Sequence, residues 1–403
     1  MSSSLRFIQD KFAEYYANNV IQPPSSIEQR EFGFLLFKER MMVRHKGFEN
    51  TGALNSFLRT IIPSHAYYSS AYYERPEEEM DEKGWLGADL TFDIDADHIP
   101  TPCGKIHDAW TCISCGFVGR GPSPEKCPKC EEQKFSQQTW LCETCLASAK
   151  TELIKLLDVL MKDFGFLARE IRVGFSGHRG YHIHIESEEI RAMDSMARKE
   201  IVDYLVGIGL EPNFHGLGLL SGACLDDFGW RRRIINGTCE ILKTATQEEL
   251  EKIGLSKKAI NSIVQNREAI LENWKEKGAI LGRIHDVGDK NWKKIFLHSI
   301  EKQSIKIDTV VTTDIHRLIR MNNTLHGKTG LKKVEVPITE IESFDPLRSA
   351  IAFKEGTVTV SVTESPQFRL REETYGPYKN QEVELPTAVA MLLLCKGTAK
   401  VTA

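Results

Sequence analysis

Between Ala88 and His98 the chain reads Ala-Asp-Leu-Thr-Phe-Asp-Ile-Asp-Ala-Asp-His, and within it Leu90, Phe92 and Ile94 alternate with Thr91, Asp93 and Asp95. Side chains of a strand point to opposite faces in turn, so this alternation specifies a strand with one apolar face. Asp93 and Asp95 then share the other face, roughly 7 Å apart along the strand. Carboxylates that close repel each other unless a cation lies between them, and oxygen donors suit a hard divalent ion, Mg²⁺ or Mn²⁺. A strand whose acidic face is merely solvated carries the same pattern, so the metal reading needs partners elsewhere in the chain.

With 403 residues the chain exceeds one ordinary core, and either one large domain with insertions or two to three domains are expected. The formal net charge of −4 gives no overall attraction to nucleic acid, so a nucleic-acid surface has to be a local patch. The longest apolar run, Ala388 to Cys395, is far too short to span a membrane. From Met1 the sequence enters a charged helical pattern without the apolar core of a signal peptide. A cytoplasmic protein with no membrane partner is expected.

Periodicity predicts helices over 4–20 and 145–164, a strand over 88–95, and a hairpin over 171–185 that turns at Ser176-Gly-His-Arg-Gly180. From about 189 to 298 charged helices are expected, two of them starting at Thr246 and Ser256. A further helix is expected over 311–321. Val334, Val336, Val358, Val360 and Val362 suggest strands that close the sheet near the C-terminus. The mixture points to an α/β or α+β core with mixed sheets flanked by helices. The expected division is a core of 1–99, 146–190 and 299–403, a zinc-binding insertion over 100–145, and a mainly helical insertion over 191–298.

Seven of the ten cysteines fall between Cys103 and Cys145, six of them in CxxC pairs. In a large chain of this kind the pattern reads as zinc rather than as disulfides. Cys112/Cys115 and Cys127/Cys130, eleven residues apart, can present four thiolates tetrahedrally. Cys103, His107, Cys142 and Cys145 enclose them and make a second, Cys₃His set. Four-ligand sites leave no position for chemistry, so both are read as structural. Cys224, Cys239 and Cys395 stand alone and are expected to be small buried residues.

The turn Ser176-Gly177-His178-Arg179-Gly180-Tyr181-His182 joins two glycines to a hydroxyl, a guanidinium and two imidazoles. Glycines admit a phosphate close to backbone N–H groups, and arginine offers a planar fork of donors. It is not a Walker loop, since no GK[ST] ending follows, and a plain glycine-rich hairpin would look similar. Farther on, Arg317, Arg320, Lys328, Lys332 and Lys333 form a basic patch, and His326-Gly-Lys-Thr-Gly330 again sets glycines beside donors.

Taken in order, the FDID strand, the SGxRGxH turn and the Asp308…LHGKTG segment resemble the catalytic small subunit of archaeo-eukaryotic DNA primases, archaeal type. The resemblance extends over nearly the whole chain and includes Arg30-Glu31-Phe32. It implies a primase-type core in which Asp93, Asp95 and a distant third acid, Asp308, hold two Mg²⁺ or Mn²⁺ ions. The residues alone do not select Asp308 over Asp97 or Asp314. It further implies that Ser176, Arg179, His182, Arg320 and His326 bind the nucleotide triphosphate; Lys328 joins them by charge and proximity. In some relatives a second arginine stands at the position of His178, so no phosphate role is assigned to it. The implied activity is templated joining of nucleoside triphosphates into primers on single-stranded DNA, beside a primase large subunit. The alternatives are a primase-like polymerase for gap filling or end repair, a non-catalytic zinc-ribbon nucleic-acid binding module, and a two-metal nuclease.

Overall fold

The computed structural model describes residues 3–37, 41–101, 103–215, 217, 228–270, 272 and 286–402. Two compact units divide the chain: Met1–Leu153, Ala168–Lys199 and Ile307–Ala403 form the first, and Ile154–Leu167 with Glu200–Lys306 the second.

In the first unit the acidic strand, Leu90–Asp95, lies at one edge of a four-stranded antiparallel sheet. Next to it comes Gly180–Ile185, then Ile171–Phe175, then Val334–Val336. The hairpin forms because Ile171, Val173 and Phe175 on one arm and Tyr181, Ile183 and Ile185 on the other are all buried, giving both arms the same apolar period. A second four-stranded sheet runs in the order Leu318–Arg320, His65–Ser69, Phe32–Leu35, Met42–Lys46. The N-terminal helix, Ser3–Asn18, buries Ile8, Phe12, Tyr15 and Tyr16, a spacing that repeats every turn on one side.

The segment expected as a helix over 311–321 folds differently. Asp308 caps a helix of only five residues, Thr309–Thr313, by accepting from Val310 N, and Leu318–Arg320 is a strand. The five residues Thr-Val-Val-Thr-Thr are all β-branched and poor at propagating a helix. Asp314 then turns the chain by accepting from His316 N at 2.9 Å. The free edge of His65–Ser69 takes up the strand, pairing Leu318 with Ser69 and Arg320 with Tyr67. The valines also part company. Val334 and Val336 belong to the sheet of the acidic strand, whereas Val358, Val360 and Val362 lie in Thr357–Ser365, the centre of a separate sheet with Tyr378–Pro386 and Ala399–Val401. Cys239 and Cys395 are half-buried rather than buried, each sharing its surface with solvent, and Cys224 lies outside the described residues.

The second unit is helical in its longer elements: Gly229–Thr244, Lys257–Gln265 and Asp289–Gln303 bury Ile234, Ile241, Ile260, Ile263, Trp292, Ile295 and Phe296 together. Thr246 and Ser256 cap helices as expected, Thr246 in a reciprocal box with Glu249. Among the described residues no helix is long and apolar enough to cross a membrane.

A buried ion pair ties the two four-stranded sheets together near the site. Arg30, just before Phe32–Leu35, donates to Asp89, just before the acidic strand, at 2.7 Å, and both are buried. Tyr72 Oη donates to the other Asp89 oxygen at 2.7 Å, and the Arg30 guanidinium lies 3.6 Å over the Tyr72 ring. Arg30 also donates to the Ser69 and Ser70 carbonyls. Removing one member of such a pair strands a buried charge. Asp89→Ala is expected to cost about 3–5 kcal/mol in chemical denaturation; a loss below about 1 kcal/mol, the range of an exposed pair, would contradict this role.

Candidate functional site

Asp93 and Asp95 are half-buried and alternate with buried Phe92 and Ile94. Antiparallel pairing sets His182 opposite Asp93 and Gly180 opposite Asp95. The approach at Gly180 is so close that a Cβ there would meet the Ile94 carbonyl oxygen at 2.2 Å, so only glycine fits. His182 Nε2 lies 3.4 Å from Asp93 Oδ1. Asp308 arrives from 213 residues beyond Asp95 (308 − 95). Its backbone N–H donates to the Asp93 carbonyl at 2.9 Å. Its carboxylate caps Val310 and stands 4.0 Å from His98 Nε2.

Burial, then the charges of Asp95 and Asp308, push the Asp93 carboxyl up to about 7. Asp95 is also raised by burial, against the pull of Arg179. The three acids are not drawn as tightly as the cysteine sets, whose donor atoms all lie within 4.8 Å of one another. All three supply hard oxygen donors, so they fit Mg²⁺ or Mn²⁺.

Beside the acids lies a cationic cluster. The Ser176 hydroxyl accepts from His178 N and Gly180 N, which fixes the turn. Thr329 Oγ1 donates to the Gly177 carbonyl at 2.6 Å and docks the second glycine-rich segment onto the first. Arg320 donates to the Ser176 carbonyl at 3.2 Å and to Tyr67 Oη at 3.3 Å. The His326 ring stacks on His178 at 5.1 Å and meets the edge of His65 at 4.7 Å. Burial, followed in each case by neighbouring cations, holds His65, His178, His182 and His326 well below the ordinary imidazole range, so they are neutral. Burial likewise brings Lys333 and Lys396 down to about 7. Lys328 is exposed at the rim. Cations and neutral imidazoles crowded together in this way suit a polyanion.

Arg179 is placed differently from Arg320. It is buried, with Nη1 donating to both Asp108 oxygens at 3.0 and 2.9 Å and to the Trp140 carbonyl at 3.2 Å, and Nη2 paired with Asp97. Lys333 is buried too and donates to the Arg320 carbonyl at 2.6 Å, so it braces the basic segment from within.

Both cysteine sets close. Cys112, Cys115, Cys127 and Cys130 form one group, and Cys103, His107, Cys142 and Cys145 the other. Sulfur separations of 3.4–3.6 Å match the edge of a zinc tetrahedron, about 3.8 Å for Zn–S bonds near 2.3 Å, and far exceed a disulfide bond. Cys112 of the inner set ends one strand of a three-stranded ribbon of Val118–Arg120, Ala109–Cys112 and Phe135–Gln138, and the other three cysteines lie in the segments that join its strands.

Several residues of the site carried no sequence signal. His65 and Tyr67 lie in a strand that the sequence reading did not identify, Asp108 follows His107 without a motif, and Lys396 is one cation after an apolar helix. Asp97 was visible in the acidic stretch, but its pairing with Arg179 was not.

A family model described as DNA primase small subunit matches residues 125–340. The DNA primase small subunit of Methanosphaerula palustris is 34% identical over 418 residues, covering 99% of this chain and 98% of the relative. That of Archaeoglobus fulgidus is 33% identical over 405 residues (98% and 97%) and that of Cenarchaeum symbiosum 32% over 404 residues (98% of each).

The raised Asp93 has a consequence for stability. In an unfolded chain Asp titrates at about 3.9; in the fold it does so at about 7. Between these values the folded chain holds a proton the unfolded one has lost, so stability falls as pH rises through the window and the penalty is full above it. In magnesium-free buffer Asp93→Asn should therefore melt above the unsubstituted protein at about pH 8, with the gap narrowing toward about pH 5. A gap independent of pH in thermal scans would contradict the assignment.

Proposed function

This chain belongs to the DNA primase small-subunit family, and from that membership we propose that it is the catalytic subunit of a primase, joining nucleoside triphosphates into short primers on single-stranded DNA. The observation that carries the reading is the hydrogen bond from Asp308 N to the Asp93 carbonyl, which sets the distant third acid beside the acidic strand and next to the cationic cluster.

In this reading Asp93, Asp95 and Asp308 hold two divalent ions, Mg²⁺ or Mn²⁺. When bound, such ions activate an attacking 3′-hydroxyl and hold a departing pyrophosphate. Arg320 and Lys328 neutralise the triphosphate, and Arg179 turns part of its fork toward it. His182 and His326, neutral through burial, donate N–H groups without adding charge. Ser176 holds the turn that aims Arg179 and His182. Rate enhancement then comes from positioning and charge stabilisation, with no covalent step on the protein. Residues 1–99, 146–190 and 299–403 serve as the catalytic core, with the zinc sets as structural supports. The family name, a small subunit, implies a large-subunit partner, and we place this chain in a heterodimer with it.

The gap-filling polymerase, the zinc-ribbon binding module and the nuclease are not favoured: the relatives matched end to end are primase subunits. A nuclease has no use for a triphosphate cradle. Incubation with bare single-stranded DNA and labelled triphosphates, with and without the large subunit, should yield primers. Asp95→Ala should lower that yield at least about a hundredfold with circular dichroism and zinc content unchanged. Primers made by the variant at the normal rate would refute the metal assignment.

A further inference from the structure

We propose that the outer cysteine–histidine zinc set positions Arg179 for the triphosphate, with Asp108 as the connecting residue; this rests on the reading of Arg179 as a triphosphate ligand. His107 turns Nε2 toward the thiols, 3.5 Å from Cys145 Sγ, and Nδ1 toward Asp108 Oδ1 at 2.7 Å. The same carboxylate receives Arg179 Nη1 on both oxygens, at 3.0 and 2.9 Å, and Trp140 N at 2.9 Å. Arg179 Nη1 also reaches the Trp140 carbonyl at 3.2 Å and lies 4.0 Å from Cys145 Sγ. A ligand histidine, a carboxylate and an arginine thus form one unbroken chain from the zinc set to the edge of the acidic strand.

Each link has a physical purpose. A zinc-binding histidine is oriented by what its other ring nitrogen donates to. Asp108 meets that need and grips one end of the Arg179 fork. The other edge of the guanidinium, Nε and Nη2, is the pair that meets an oxyanion side by side. Arg179 Nε is buried and finds no acceptor among the described residues. Nη2 is paired with Asp97, which is about a third exposed. Asp108 is far less exposed and already bonded on both oxygens. An incoming phosphate oxygen therefore displaces Asp97 and fills Nε, while Asp108 holds Nη1 in place. The tight turn at Ser176–Gly180 cannot fix a long side chain by itself; the zinc set supplies the rigid backing. Asp108 is a positioning residue in this scheme, since it acts through Arg179.

The test uses the full chain loaded with zinc. Nucleotide affinity is read with a fluorescent nucleoside triphosphate analogue and Mg²⁺, and KM and kcat in primer extension from a supplied primer. Asp108→Asn, which preserves shape but not charge, should weaken affinity and raise KM by about tenfold or more, with kcat falling less. Zinc should stay at two equivalents. Arg179→Lys should weaken binding similarly, and the double variant should be no worse than either single one, because both break one chain of contacts. His107→Cys keeps four zinc ligands but removes the Nδ1 donor. It should retain two zinc equivalents and still lose affinity, and it decides the question if Asp108→Asn sheds zinc. Normal affinity in Asp108→Asn or in zinc-replete His107→Cys, with Arg179→Lys impaired, overturns the positioning role alone. Normal affinity in Arg179→Lys overturns the triphosphate reading of Arg179 and the positioning role with it.

Discussion

Antiparallel pairing of Leu90–Asp95 with Gly180–Ile185 puts His182 opposite Asp93 and Gly180 opposite Asp95. A slip of one residue would send the carboxylates and the imidazole to opposite faces of the sheet. The register is held by Phe92, Ile94, Tyr181 and Ile183, all buried on the apolar face, and by Gly180, which alone tolerates the Ile94 carbonyl at that distance. Everything else at the site is hung from this pairing. The hairpin turn ends where the acids begin, Asp308 is bonded to the backbone of Asp93, and Arg320 reaches the turn from the neighbouring sheet.

The site is electrostatically unfinished on both sides. Three carboxylates stand together with one of them pushed up to about 7, while Lys333 and Lys396 are brought down to about 7 and four imidazoles are kept neutral. Desolvation is the largest cause in every case, and like charges add to it. Such strain is relieved by ligands of opposite sign: cations against the acids and a polyanion against the bases. A metal-bound triphosphate, the proposed ligand, carries both in one molecule and matches two clusters that lie side by side. The exception is Arg179, whose charge is already matched by Asp97 and Asp108.

Local pattern made much of this legible. Alternation gave the acidic strand and both hairpin arms, the Thr246 and Ser256 caps announced their helices, and CxxC spacing announced the inner cysteine set, with Cys103 and His107 joined to Cys142 and Cys145 as flanking residues. What failed was set by tertiary contact. Thr309–Thr313 and Leu318–Arg320 were read as one helix because their apolar spacing permits it; β-branching and the open edge of His65–Ser69 decided otherwise. Val358–Val362 has strand character but no local clue to which sheet it joins. Asp308 could not be told from Asp97 or Asp314 by charge, since the choice depends on which backbone reaches Asp93. Lys396 and Asp108 enter the site from elements that carry no chemical motif, so no single-sequence pattern could have found them.

Manganese binding tests the core of this account most directly. Electron paramagnetic resonance of the zinc-loaded chain, titrated with Mn²⁺ beside a non-hydrolysable nucleoside triphosphate, should show two bound ions per chain with magnetic coupling between them. The coupled signal should vanish in Asp308→Asn. A single uncoupled ion, or a coupled pair that survives loss of the Asp308 carboxylate, would contradict it.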